Sequence, residues 1–95
     1  MPREWWHAPF GYIVKALVTL YKLEKDSKVP TQTEFMRAAD IPDTTFYRTI
    51  KPALEKGGLV EFKVNPRERI IEVYLTDKGR KLAEALDKVY PEIFK

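Results

Sequence analysis

Residues 31–48 read Thr31-Gln32-Thr33-Glu34-Phe35-Met36-Arg37-Ala38-Ala39-Asp40-Ile41-Pro42-Asp43-Thr44-Thr45-Phe46-Tyr47-Arg48, and they place two helices on either side of a tight turn. Thr31 and Glu34 have the spacing of a capping box, in which the hydroxyl accepts an amide three residues on and the carboxylate reaches back. The helix they open offers Phe35, Met36 and Ala39 to a core. It should stop at Ala39-Asp40-Ile41-Pro42, because Pro42 disfavours helical geometry at Ile41 and Asp40 tolerates a left-handed turn. The next helix is expected from about Asp43 to Lys56, stopped by Gly57-Gly58.

Downstream, Val60, Phe62 and Val64 alternate with Glu61 and Lys63, and Ile71, Val73 and Leu75 alternate with Glu72 and Tyr74. Asn65-Pro66-Arg67-Glu68-Arg69 separates the two runs, which predicts a hairpin with a charged tip. Thr76 can cap a last helix whose Leu82, Leu86, Val89 and Tyr90 fall at i, i+4, i+7 and i+8, with Pro91 as its end or a kink. Upstream, a helix is expected from about Ala8 to Asp26. Its apolar residues Phe10, Ile13, Val14, Leu17, Val18, Leu20 and Tyr21 cover more than the usual stripe. Only Lys15, Thr19 and Lys22 form a narrow polar line. Residues 27–30 are a connector with room for a stub of strand.

The chain has 95 residues, enough for one domain. With 44% hydrophobic, 33% charged and 13% aromatic residues it is too apolar for disorder. No cysteine and a single histidine, His7, argue against a disulfide framework and against Cys- or His-rich metal sites, so no metal or cofactor is expected. The longest stretch without Lys, Arg, Asp or Glu, Trp5 to Val14, falls short of a membrane span. Met1-Pro2-Arg3-Glu4 does not open a secretion signal, and a cytoplasmic location is the expectation. The net charge of +3 is spread as +2 over residues 1–30, zero over 31–75 and +1 over 76–95. A polyanion-binding surface in the middle segment therefore requires charge to be sorted onto one face.

Helix, helix, tight turn, helix, hairpin, helix is the order of an α+β winged helix-turn-helix: a three-helix core, a two-stranded wing and an additional C-terminal helix. Three segments carry a resemblance to that class. Ile41-Pro42-Asp43-Thr44-Thr45-Phe46-Tyr47-Arg48 looks like its turn and recognition-helix start. Leu54-Glu55-Lys56-Gly57-Gly58-Leu59-Val60 is similar to its L-x-x-x-G-L-V segment with one extra glycine. Leu75-Thr76-Asp77-Lys78-Gly79-Arg80 resembles the L-T-x-x-G that opens the following helix in MarR- and PadR-like regulators and in small winged-helix proteins of archaea and their viruses. The likeness covers roughly residues 31–82. Two departures stand out: Asp40 where glycine is common, and Pro52 inside the recognition helix, where it loses the bond to the Arg48 carbonyl. A kink, or an effective end near Lys51, is expected there.

At 100° per residue, Phe46, Thr49, Ile50, Ala53 and Leu54 share the core side of that helix, and Thr44, Tyr47, Arg48, Lys51 and Glu55 the other. Arg48 suits a guanine edge, Thr44 or Thr45 a thymine methyl or a phosphate, and Lys51 a phosphate. Gln32 and Thr33, where a helix begins, suit a phosphate as well, whereas Thr31 and Glu34 are explained by capping alone. Arg67 and Arg69 at the hairpin tip are placed to enter a minor groove. The resulting DNA-binding set is Gln32, Thr33, Thr44, Thr45, Tyr47, Arg48, Lys51, Arg67 and Arg69.

No nucleotide, metalloprotease or hydrolase motif occurs, and Glu61 and Glu72 suit cross-strand charge pairing better than catalysis, so no enzyme is expected. The function expected is sequence-specific double-stranded DNA binding by a homodimeric transcriptional regulator. Residues 1–95 would form one domain, with residues 1–26 and 76–95 giving the dimer helices. The alternative is a winged helix used for protein–protein contact. A pocket for a small effector near Trp5, Trp6, Phe10 and Tyr12 is a further option, weaker than simple packing of the N-terminus.

Overall fold

In the computed structural model, which describes residues 9–89, α1 spans Pro9–Lys25 and α2 spans Gln32–Ala38. The third helix, α3, occupies residues 43–56 in three pieces: helical Asp43–Thr45, a wider π-turn over Phe46–Ile50, and helical Lys51–Lys56. Strands β1 (Val60–Asn65) and β2 (Ile70–Leu75) follow, and α4 (Asp77–Val89) closes the order. This is the winged-helix arrangement. Trp5, Trp6, His7, Tyr90, Pro91, Ile93 and Phe94 lie outside the described residues, as does the side chain of Phe10.

Local chemistry explains the ends of α1, α2 and α3. Ser27, Asp40 and Gly58 take left-handed conformations with φ of 58°, 54° and 68°. After each, an amide returns to the carbonyl five residues earlier: Lys28 to Leu23 at 2.9 Å, Ile41 to Met36 at 3.0 Å, and Leu59 to Leu54 at 3.0 Å. This backward bond satisfies a carbonyl that the helix end would otherwise orphan. Asp40 performs the turn as the sequence implied. At the start of α2 both capping-box bonds are present, with the Glu34 amide donating to Thr31 Oγ1 and the Thr31 amide to Glu34 Oε1.

Phe35, Phe46, Leu17, Leu20, Ile50, Leu54 and Val73 are fully buried and bring α1, α2, α3 and β2 together. Phe46 is the hub, edge-on to Phe35 at 6.0 Å and to Phe62 at 6.1 Å between ring centres. The hairpin is antiparallel, from Val60↔Leu75 to Asn65↔Ile70. Residues 27–30 hold no strand of their own; on its other side β2 meets the chain just after them, through a bridge from Thr31 to Glu72 and a 3.0 Å bond from the Val73 amide to the Pro30 carbonyl. That contact fixes the start of α2 against the base of the wing.

Pro52 does not end the helix: α3 runs on to Lys56 as expected, and the irregularity at the proline takes the form of the π-turn just before it. Three expectations need correction. Thr49 is exposed and Ala53 only half-buried, so the core line of α3 is Phe46, Ile50 and Leu54. Val64 is 69% exposed, because the wing projects past the core that covers Val60. On α4, Leu82 is 40% exposed while Gly79 and Ala83 are buried. The inward face runs through Gly79 and Ala83 to Leu86, which packs against the core as expected, rather than through Leu82 and Val89, and Gly79 is the reason. A Cβ there would lie 1.9 Å from the Leu59 carbonyl oxygen, so only glycine lets α4 approach.

Around that contact Thr76 caps α4. Its hydroxyl donates to the Gly58 carbonyl at 2.6 Å and accepts the Gly79 amide at 3.0 Å, and its own amide donates to the Leu59 carbonyl at 3.1 Å. Arg80 then ties α4 to α1, its guanidinium donating to both Glu24 carboxylate oxygens and to Asp77 Oδ1 at 2.8 Å. The Glu24 bonds hold the Arg80 pKa above its ordinary value. No described helix is long and apolar enough to cross a membrane.

Candidate nucleic-acid interface

The helix that carries Arg48 is held from behind. Phe46, Ile50 and Leu54 sink into the core, which leaves Thr44, Tyr47, Arg48 and Thr49 exposed on the far side, with Thr45 and Lys51 half-buried at its margins. Of the outer face that the spacing predicts, Thr44, Tyr47, Arg48 and Glu55 are exposed and Lys51 is half-buried, with Thr45 beside them at the margin.

They differ in freedom. Tyr47 stands edge-on to Phe46 at 5.3 Å, and its hydroxyl accepts from Gln32 Nε2 at 3.1 Å. Lys51 Nζ sits 4.9 Å from the Phe62 ring centre and 5.9 Å from that of Tyr47, so it joins recognition helix to wing. Such cation–π contacts contribute about 0.5–1 kcal/mol at exposed sites. Gln32 and Lys51 therefore act first on protein partners. Among the described residues, the side chains of Thr44, Arg48 and Thr49 make no hydrogen bond or ion pair with the protein.

Two hollows connect this face to α2 and the wing. One, about 410 Å3, is lined by Thr33, Arg37, Asp43 and Tyr47 with the turn residues Asp40, Ile41 and Pro42. The other, about 240 Å3, is lined by Thr31, Gln32, Thr33, Arg69, Ile70 and Ile71. Thr33 belongs to both, so a continuous surface runs from Arg69 over the start of α2 to Tyr47. Arg37 lies on it and was missed in the sequence. The available signal was its spacing, four residues after Thr33 and hence on the same helix face. Asp40 and Asp43 put negative charge into the lining of the first hollow.

The wing tip is built by Asn65, whose Oδ1 accepts the amides of Arg67 at 3.0 Å and Glu68 at 3.3 Å. Arg69 closes the turn at φ 54°. Both arginines are exposed. Among the described residues no carboxylate pairs with Arg37, Arg48, Arg67 or Arg69; the ion pairs are Lys63–Glu61, Arg80–Glu24, Arg80–Asp77 and Lys88–Glu84. The Glu61 pair lies along its strand rather than across the sheet as expected, and Glu72 accepts from the Tyr74 hydroxyl at 3.3 Å. Within residues 31–75, Glu34 is engaged by the capping box and Glu61 and Glu72 by strand contacts, while Asp40, Asp43, Glu55 and Glu68 stay exposed alongside the arginines. No group of three or more His, Asp or Glu among the described residues is placed to hold a metal ion.

The model of the ArnR1-like, winged-helix domain family matches residues 3–91, nearly the whole chain. The match bears out the winged-helix resemblance and does not itself show the likeness to MarR- or PadR-like regulators. No curated protein matches the chain.

Proposed function

The chain belongs to the ArnR1-like winged-helix domain family, and from that premise we propose that it is a homodimeric transcriptional regulator that reads a specific sequence in double-stranded DNA. The observation that carries this is Arg48, exposed and without a carboxylate partner among the described residues, flanked by threonines on a helix whose opposite side is fully buried. The outer face of α3 enters the major groove, with Thr44, Thr45 and Arg48 toward the bases and Tyr47 and Lys51 toward the backbone. Gln32, Thr33 and Arg37 follow one strand's phosphates, and Arg67 and Arg69 reach the adjacent backbone or minor groove. An interaction module would present aliphatic or aromatic groups here. The one large apolar side chain on the stripe, Tyr47, is 49% exposed and has its hydroxyl bonded to Gln32.

We place the dimer contact on α4, because among the described residues of α1 Tyr12, Val14, Ala16, Leu17, Val18 and Leu20 are buried. Leu82 and Val89, 40% and 65% exposed, stand with Ala85 at i, i+3 and i+7 along α4. Pairing these stripes about a two-fold axis sets two recognition helices roughly 34–36 Å apart, or a multiple of it, on one side of DNA. Selection of bound sequences from random duplex DNA tests the proposal, and a two-fold symmetric sequence is the expected result. No enrichment at moderate salt overturns it in favour of protein–protein contact. Sedimentation equilibrium at micromolar concentration tests the dimer, and a mass near one 11.1 kDa chain overturns it.

A further inference from the structure

We propose that Thr49 contacts a base and that Pro52 is the positioning residue that turns it outward, by imposing the π-turn on α3; this rests on the DNA-binding reading above. In a regular helix each residue advances about 100°, so Thr49 would lie about 60° from Phe46, among the core-facing side chains. Phe46 and Leu54 would then diverge by about 80°. Instead Phe46, Ile50 and Leu54 are all fully buried and Thr49 is exposed.

The difference is one residue in the turn. The Lys51 amide donates to the Phe46 carbonyl, five residues back, rather than to that of Tyr47. An extra residue offsets the two halves of a helix by one step, which brings Phe46 and Leu54 to within about 20° of each other. The same offset carries Thr49 out of the core line and beside Arg48. Pro52 supplies the cause: it has no N–H for the Arg48 carbonyl, and in a regular helix its ring collides with that carbonyl. A wider turn just before the proline relieves both conflicts.

What Thr49 gains is an outlet. Tyr47 and Lys51 are held by Gln32 and Phe62, whereas Thr49, like Arg48, has no side-chain hydrogen bond among the described residues. Its hydroxyl can donate or accept at a base edge, and its methyl can meet a thymine methyl.

The test is the base preference of the full chain, selected from random duplex DNA, for wild type, Thr49→Ala and Pro52→Ala. Thr49→Ala should lose preference at one position per half-site and bind the wild-type sequence about fivefold or more weakly, with unrelated DNA bound as before. Pro52→Ala should change preference at that same position. It should also move the Lys51 amide bond from the Phe46 to the Tyr47 carbonyl, seen as a new scalar coupling across the hydrogen bond. A wild-type protein that enriches nothing overturns the DNA-binding reading and this one with it. A wild-type sequence that Thr49→Ala enriches unchanged overturns the inference alone. So does a Pro52→Ala protein that keeps both the Phe46 bond and the original preference.

Discussion

A single methyl group at Gly79 should do more damage than most side-chain truncations in this protein. The alanine Cβ would sit 1.9 Å from the Leu59 carbonyl oxygen and 2.8 Å from its carbon. Neither neighbour can step aside cheaply, since both belong to backbone and the same oxygen accepts the Thr76 amide. Relief means lifting the first turn of α4 off the start of β1. Overpacking costs about 1–3 kcal/mol, and against backbone the upper end applies. Losing the Thr76–Leu59 bond adds about 1 kcal/mol, and a weakened cap about 1 more. Alanine's better helix propensity offsets about 1 kcal/mol. The net loss is about 4 kcal/mol, which for a domain of this size lowers Tm by roughly 16–32 °C. Circular dichroism melts of Gly79→Ala and Gly58→Ala make the comparison. A Cβ at Gly58 meets nothing within 4 Å, and its φ of 68° alone should cost about 1–2 kcal/mol. A Gly79→Ala protein that melts within about 4 °C of wild type would refute the close-approach argument.

Three further outcomes are expected. Arg48→Ala should weaken specific binding by about 1–3 kcal/mol with Tm unchanged, since the side chain touches no core residue; titration of the selected duplex checks it, and normal binding removes Arg48 from the site. Replacing Arg67 with alanine and Arg69 with glycine should weaken binding alike across unrelated sequences and flatten the plot of log K against log salt by about 0.9 for each phosphate no longer neutralised, so an unchanged slope makes the tip a solvated turn. The Thr31 amide and hydroxyl hold the Glu34 carboxyl below its usual pKa. A depressed carboxylate stabilises the fold above its unfolded pKa, and that contribution is lost as pH falls through the folded value. Denaturant unfolding of Glu34→Gln should therefore show a shallower loss of stability on the acid side than wild type, and parallel curves would contradict the capping role.

How much of this was legible depended on reach. The capping box at Thr31 and Glu34, the left-handed turn at Asp40 and the stop at Gly58 each rest on atoms within five residues of one another, and all three stand in the fold. The polar stripe of α3 was legible for Thr44, Tyr47 and Arg48 because Phe46 and Ile50 sit four apart and leave the opposite side to solvent. A constant 100° step from Phe46 puts Thr49 in the core, and the π-turn over Phe46–Ile50 breaks that step. Leu82 was misplaced for a different reason. Nothing in α4 itself distinguishes a face through Leu82 from one through Ala83.

By itself, then, the chain's order of residues determined which of the described segments are helices and strands, where α2 begins and where α1, α2 and α3 stop, and in what order they come. Those choices are settled by short-range capping, turn geometry and alternation, whose energies do not depend on what packs nearby. Rotation about each helix axis was decided only in the tertiary structure. The Leu59 carbonyl under Gly79 selects which side of α4 faces inward, from twenty positions away in the chain. The alignment of Phe46, Ile50 and Leu54 against one core settles which side of α3 is left for a partner. Whether Val64 is covered also depends on how far the wing outruns the helices beneath it. A rotation moves every side chain of a helix together, so its energy is summed over its packing against several other elements, and no local window of sequence contains that sum.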